Sequence, residues 1–386
     1  MLLTEREPTT RILGHAPALD GLRGLAVALI VVFHFAGHYV LHGATASLDV
    51  FFALSGFLIT TLVLDERRAT GRVDLRAFYV RRACRLLPAL FAMLAVWSLL
   101  LVFCHDQGWM GSTPAGDGSA TAVPMVPALK DVGLALLYLA NWDVISGGTA
   151  APLQHLWSLA VEEQFYIVWP SALLLLLLLR RRVRVGLLAT AIGCSMALSA
   201  VLWERGSGAN RIYFGTDTRA ASLLIGALGA LLWHRRRAQG RRTARWAAPR
   251  AWLGAAVFAV VLAELHEDVW KYAVLPAVVA LSITQVMPYV VDSPRTLLAR
   301  ALSLRWLVWL GQRSYGLYLW HYLWATWTHG LPLGVGIPLG VGGALLCTVV
   351  SWRFIERPVI AWGRARVRQV PAPHPLPRPV PVRVAA

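Results

Sequence analysis

Ten long apolar runs, most of them closed by arginines or a polar break, leave this chain few ways to fold. They cover residues of about 22–40, 48–64, 86–104, 159–179, 186–203, 217–233, 251–265, 270–290, 307–328 and 333–351. A helix that crosses a bilayer needs ~20 mostly apolar residues, within a range of ~17–25. The pattern predicts an all-α fold, a polytopic transmembrane helix bundle of about ten spans. Composition agrees, with 57% apolar and 15% charged residues against ~25% charged in ordinary soluble domains. The net charge of +17 would alone suggest a nucleic-acid partner. The base is nearly all arginine, with lysine only at Lys130 and Lys271, and it falls in clumps between apolar runs. Such clumps are the positive-inside signature of a membrane protein, so the expected partner is the lipid bilayer and not nucleic acid.

Arginine-rich loops follow the second run (Arg67, Arg68, Arg72, Arg76, Arg81, Arg82, Arg85), the fourth (Arg180, Arg181, Arg182, Arg184) and the sixth (Arg235, Arg236, Arg237, Arg241, Arg242). Placing all three in the cytoplasm decides an eleventh, weaker stretch at 128–146, which carries Lys130, Asp131, Asn141 and Asp143. If it crossed, the Arg180 cluster would land outside. Parity therefore makes it interfacial or re-entrant, makes 105–127 an external loop, and puts both termini in the cytoplasm. Ala44-Thr45-Ala46 resembles a signal-peptidase site, but Arg23 and His34 inside the preceding run favour a retained first span. The tail PAPHPLPRPVPVRVAA is expected to be disordered. Cys84, Cys104, Cys194 and Cys347 show no paired spacing, so neither a disulfide framework nor a metal site is expected.

Ionisable residues inside spans cost about 2.5–3.5 kcal/mol each on insertion scales and are functional candidates. Arg23 and His34 stand eleven residues apart, three turns plus ~20°, so they share a helix face and lie ~16 Å apart along its axis. A snorkelling anchor for Arg23 and a satisfied buried imidazole for His34 are the bland alternatives. Asp49, at the external start of the second span, is expected at the depth of His34, where it would orient the imidazole. The same topology brings Glu162, Glu163, Asp217, Arg219 and His321 to the outer half, and predicts one shared cavity. On the cytoplasmic side Arg81, Arg82 and Arg85 sit at a helix start. They serve either as topological charge or as a site for a phosphate-bearing cosubstrate.

Seven segments in order, LDGLRGLAVALIVVFHF, SLDVFFALSGFLIT, FYVRRACRLLPA, LQHLWSLAVEEQFYIVWP, YFGTDTRAASLLIGALGA, LGQRSYGLYLWHYLW and FIERPVI, resemble the integral-membrane acyltransferase-3 family. The resemblance covers about residues 19–360. Parity and composition set a cytoplasmic segment at 1–18 and a proline-rich tail at 361–386, and the resemblance implies a transmembrane acyltransferase domain at 19–360. It also implies an acyl-CoA-dependent O-acyltransferase of the inner (plasma) membrane, with acetyl-CoA or a short-chain acyl-CoA as cosubstrate and no metal. Members of the family acylate hydroxyls of cell-envelope glycans; others act on macrolides and other glycosylated secondary metabolites. The family's arginine–histidine pattern falls on Arg23 and His34, and its arginine–arginine loop pattern on Arg82 and Arg85, with Arg81 adjoining.

The mechanism this implies sets CoA phosphates on Arg82, Arg85 and Arg81, threads the pantetheine past Arg23 and uses His34 as general base or as a covalent acyl carrier. Asp49 would orient His34, while Glu162, Glu163, Asp217, Arg219 and His321 would bind or support the carbohydrate-containing acceptor. A transporter of a polar or lipid-linked substrate is the rival from another class, since intramembrane histidines and carboxylates also build proton relays.

Overall fold

The computed structural model describes residues 13–14, 16–36, 42–104, 113–114, 120–121, 125–148, 153–240, 247–263 and 272–368. The expected external loop at 105–127 lies outside these residues, apart from a two-residue antiparallel pair, Thr113–Pro114 with Ala120–Thr121, and the first residues of a helix. Residues 1–12, 264–271 and 369–386 also lie outside them.

The other described residues are nearly all helical. In order come α1 (Pro17–Ala36), a 3₁₀ turn (His42–Ala46), α2 (Ser47–Thr70), α3 (Leu75–Cys104), α4 (Met125–Leu136), α5 (Ala140–Ile145), α6 (Leu156–Leu176), α7 (Arg181–Glu204), α8 (Ala209–Phe214) and α9 (Thr216–Ala238). They are followed by α10 (Ala247–Ala263), α11 (Leu275–Asp292), α12 (Leu297–Leu302), α13 (Arg305–Gln312), α14 (Ser314–Thr328), α15 (Leu333–Ser351), a π-helical turn (Trp352–Glu356) and α16 (Arg357–Arg368).

Seven helices among the described residues are long and apolar enough to cross a membrane: α1, α2, α3, α6, α7, α11 and α15. The other three predicted spans take different forms. α9 has 23 residues but carries Asp217 and Arg219 at one end and Arg235, Arg236 and Arg237 at the other. It packs against α2, α7 and α11, which lets it carry more polar groups than a lipid-facing helix. α10 has only 17 residues. The stretch at 307–328 breaks at Arg313, whose backbone leaves the helix at φ −110° and ψ 7° and divides α13 from α14.

The weak stretch at 128–146 forms two short pieces. α4 has 12 residues and α5 has 6, lengths of about 18 and 9 Å against ~30 Å of hydrocarbon. Between them Tyr138 takes a left-handed φ of 55°. Irregular backbone at such depth needs internal partners, and Gln164 of α6 supplies one by donating to the Tyr138 carbonyl oxygen at 2.7 Å and to Asn141 Oδ1 at 3.0 Å. Asn141 in turn donates to Thr216 Oγ1 at 3.0 Å and to the Phe214 carbonyl at 3.1 Å, tying the broken segment to α8 and α9.

Close helix crossings set the bundle. A Cβ on Gly56 of α2 would run into the Leu223 carbonyl of α9, and one on Gly226 into the Ala53 carbonyl of α2, so the two backbones touch through paired small residues. Gly24 of α1 and Gly311 of α13 make the same kind of contact. The arginine-rich ends meet at one end of the bundle. There Asp65 accepts from the Leu13 amide at 3.0 Å and lies 3.1 Å from His234 Nε2, while Arg237 pairs with Asp292 at 2.7 Å. Outside, Phe91, Phe103, Val168, Leu178, Leu253 and Phe354 are exposed, an apolar girdle suited to lipid.

Candidate active site

α1 carries Arg23 near its start and His34 near its end, and each opens on its own cavity. The first, of about 350 Å³, is lined by Asp20, Arg23, Arg82, Arg85, Glu162 and Glu163 among apolar residues of α2, α3 and α6. The second, of about 380 Å³, holds His34, Gln154, His155, Asn210, Tyr272 and Tyr322. Leu48 and Tyr318 line both cavities and form the wall between them. The single cavity predicted from sequence is thus two chambers stacked along α1.

In the arginine chamber the two residues of the loop pattern play unlike parts. Arg82 is committed: Nε donates to Glu163 Oε2 at 3.0 Å, Nη2 donates to Glu163 Oε1, and the guanidinium lies 3.2 Å from the Tyr166 ring centroid. Arg81 pairs with Glu66 at 3.5 Å outside the chamber. Arg85 has neither a hydrogen bond nor an ion pair among the described residues, and neither does Arg23, whose Nε is buried without an acceptor. Two guanidiniums without a partner among the described residues, lining one cavity, have the chemistry to suit an anion with several oxygens. Glu162, held by Ser55 Oγ at 2.9 Å, stands in the same chamber.

Glu162 and Glu163 therefore lie with the arginines and not with His34. Both stand more than a turn beyond His155 on α6, at ~1.5 Å per residue, which carries them past the dividing wall.

Asp49 also departs from expectation. Its carboxylate accepts from Arg219 Nη1 at 3.1 and 3.3 Å and from Ser222 Oγ at 2.9 Å, so its partners belong to α9 and not to α1. Arg219 is fully engaged, donating through Nε to the Tyr213 carbonyl at 2.8 Å and lying 4.3 Å from the Tyr213 ring centroid. Asp217 is held by Arg211 through two hydrogen bonds of 2.9 and 2.5 Å, and lines neither chamber.

The partner of His34 is His321, which is fully buried on α14. Its Nε2 lies 3.3 Å from His34 Nδ1, and the same His34 nitrogen is 2.9 Å from the Ile30 carbonyl oxygen. His321 Nδ1 lies 2.7 Å from the Tyr318 carbonyl oxygen. The Tyr322 ring is 5.0 Å from His34 and stacks on His155 at 4.9 Å. The other nitrogen of His34, Nε2, has no partner among the described residues, and His34 lines the cavity.

Sequence reading missed His155, Tyr318 and Tyr322. The signal was present: Tyr318, His321 and Tyr322 are spaced i, i+3, i+4 on α14, the spacing of one helical face. Tyr318 closes the wall by donating to the His155 carbonyl oxygen at 2.7 Å, and its hydroxyl lies 2.6 Å from Ser158 Oγ. Among the described residues no group of three or more His, Cys, Asp or Glu side chains is placed to hold a metal ion.

The described residues thus form an apolar helical bundle in which an arginine-lined chamber adjoins a second, aromatic-lined one that holds His34. A family model described as an acyltransferase domain matches residues 17–356, and the chain belongs to that family, acyltransferase-3. It is 34% identical over 90% of its length to a Bacillus subtilis protein provisionally named a peptidoglycan O-acetyltransferase, matching 55% of that protein. It is 32% identical over 89% of its length to the peptidoglycan O-acetyltransferase OatA of Listeria monocytogenes, matching 56% of it. The chain thus spans little more than half the length of these curated relatives. No solved structure matches it.

Proposed function

We propose that the chain is a membrane O-acyltransferase that moves an acetyl or other short acyl group from acyl-CoA to a hydroxyl of a cell-envelope glycan. The observation that carries this reading is the two-chamber arrangement along α1, with unpaired Arg23 and Arg85 on one side of the Leu48–Tyr318 wall and the free nitrogen of His34 on the other. The names of the relatives support a glycan acceptor of the peptidoglycan type. The positive-inside pattern supports a plasma-membrane orientation with the arginine chamber toward the cytoplasm, where acyl-CoA is available.

In this mechanism Arg23 and Arg85 hold CoA phosphate oxygens, and the pantetheine arm runs along α1 toward the wall. His34 Nε2 takes the proton of the acceptor hydroxyl as its oxygen attacks the thioester carbonyl. The carbonyl–sulfur bond breaks, and the imidazolium returns the proton to the departing thiolate. The products are the O-acyl ester and free CoA. Arg82 and Glu163 brace α3 against α6 and hold Arg85 in place.

The test uses cells lacking other O-acetyltransferases. Purified cell-wall glycan from cells making this chain should release acetate on mild alkaline treatment, and glycan from cells making His34→Ala at equal membrane abundance should not. Equal acetate from both would sink the assignment.

A further inference from the structure

His34 has a second histidine, His321, as its side-chain partner. Two backbone carbonyls decide where the protons sit. The Tyr318 carbonyl oxygen, 2.7 Å from His321 Nδ1, accepts only, so Nδ1 of His321 carries the hydrogen and its Nε2 carries a lone pair. The Ile30 carbonyl oxygen, 2.9 Å from His34 Nδ1, likewise requires the hydrogen on that nitrogen. The 3.3 Å contact between the rings then has one consistent polarity, with His34 Nδ1–H shared between the Ile30 carbonyl and His321 Nε2. The opposite polarity would set lone pair against lone pair at both carbonyls.

We infer that His321 is a positioning residue: its Nε2 accepts from the Nδ1–H of the tautomer that the Ile30 carbonyl selects, and so steadies His34 with Nε2, its unpartnered nitrogen, as the basic one. This rests on the reading of His34 as the base. When Nε2 takes a proton, the Nδ1–H becomes a charged donor, and a hydrogen bond from it to a buried neutral acceptor strengthens in a surrounding of low dielectric. His321 thereby does for His34 what a carboxylate does in many histidine sites, without placing a second charge in the bundle. Asp49 is not available for that task, being held by Arg219 and Ser222.

Two near-isosteric substitutions separate this role from simple packing. In His321→Gln the side-chain carbonyl reaches the place of Nε2 and still accepts from His34. In His321→Asn the amide reaches only the place of Nδ1, keeping the bond to Tyr318 and losing the one to His34.

Wall-bound acetate should stay within about threefold of wild type for His321→Gln and fall at least about tenfold for His321→Asn, the scale of one hydrogen bond to a charged group. The structural readout is ¹⁵N NMR of the full chain in lipid nanodiscs with labelled histidine, His34 being assigned by its loss in His34→Ala. Its Nδ1–H resonances should coincide in wild type and His321→Gln, and shift in His321→Asn, where the Ile30 carbonyl is the acceptor that remains. Wild-type acetate from His321→Asn, a folded His321→Gln as inactive as His321→Asn, or a His34 Nδ1–H resonance unshifted in His321→Asn would each overturn the inference. Should wild type itself deposit no acetate, the acyl-transfer reading fails, while the nitrogen spectra still decide the hydrogen bond from His34 to His321.

Discussion

Asp49 and Arg219 form an ion pair at 3.1 Å, with side chains only 5% and 4% exposed, joining the start of α2 to the start of α9. Ser222 completes the carboxylate's hydrogen bonds, and the Tyr213 carbonyl takes one of the guanidinium's. A pair so enclosed is a clamp on the helix crossing where Gly56 meets the Leu223 carbonyl and Gly226 the Ala53 carbonyl.

Breaking that clamp from one side should be costly. Asp49→Ala strands a buried guanidinium and should lower unfolding free energy by about 3–5 kcal/mol, whereas replacing both partners, Asp49→Leu with Arg219→Met, should recover much of the loss. Denaturation of the detergent-solubilised protein measures both. Equal stability of Asp49→Ala and wild type would refute the clamp.

The two arginines of α3 should respond differently. Arg85→Ala removes a free guanidinium from the arginine chamber and should weaken acetyl-CoA binding about 10- to 100-fold with little change in stability, since a charge-assisted hydrogen bond is worth about 1.5–3 kcal/mol. Arg82→Ala leaves Glu163 buried and unpaired and should chiefly destabilise the fold. Calorimetric titration with acetyl-CoA, run beside thermal melts, distinguishes the two, and the reverse outcome would return Arg82 to the ligand.

Membrane topology can be read by thiol labelling in a background free of native cysteine. Ser146→Cys, at the exposed end of α5, should react with an impermeant reagent on intact cells, and Gln239→Cys, past the arginines of α9, should not. Labelling of both, or of neither, would show that a span is miscounted.

The α4–α5 segment carries its own pH dependence. Burial pushes the Asp131 carboxyl up to about 6 from its ordinary 3.8, and the nearby Asp143 carboxylate adds to the rise. A raised carboxyl favours the folded segment while protonated, so its contribution is full below about 3.8 and is lost as pH rises through about 6. Amide exchange over α4 and α5, corrected for intrinsic rate, should quicken across that window, and Asp131→Asn should remove the dependence. A wild-type profile flat in pH would contradict it.

Much of this was legible in the chain itself. Apolar run length and arginine placement gave the apolar helical bundle and marked 128–146 as unlike the other runs, because bilayer thickness and backbone hydrogen bonding act on local sequence alone; the break at Tyr138 came from the tertiary structure. The shared face of Arg23 and His34 followed from helical periodicity, and the ordered segments gave the family. Partner choice did not follow. Asp49 stands at a plausible depth for His34, yet depth fixes one coordinate, and rotation about the helix axis, set by the glycine crossing of α2 with α9, turns it to Arg219. The same crossing logic separates Glu162 and Glu163 from the histidines and brings His321, 287 residues from His34 in sequence, to within hydrogen-bond reach. Local sequence determined which groups each helix carries and at what height; only the packing of helix against helix decided which of them face one another.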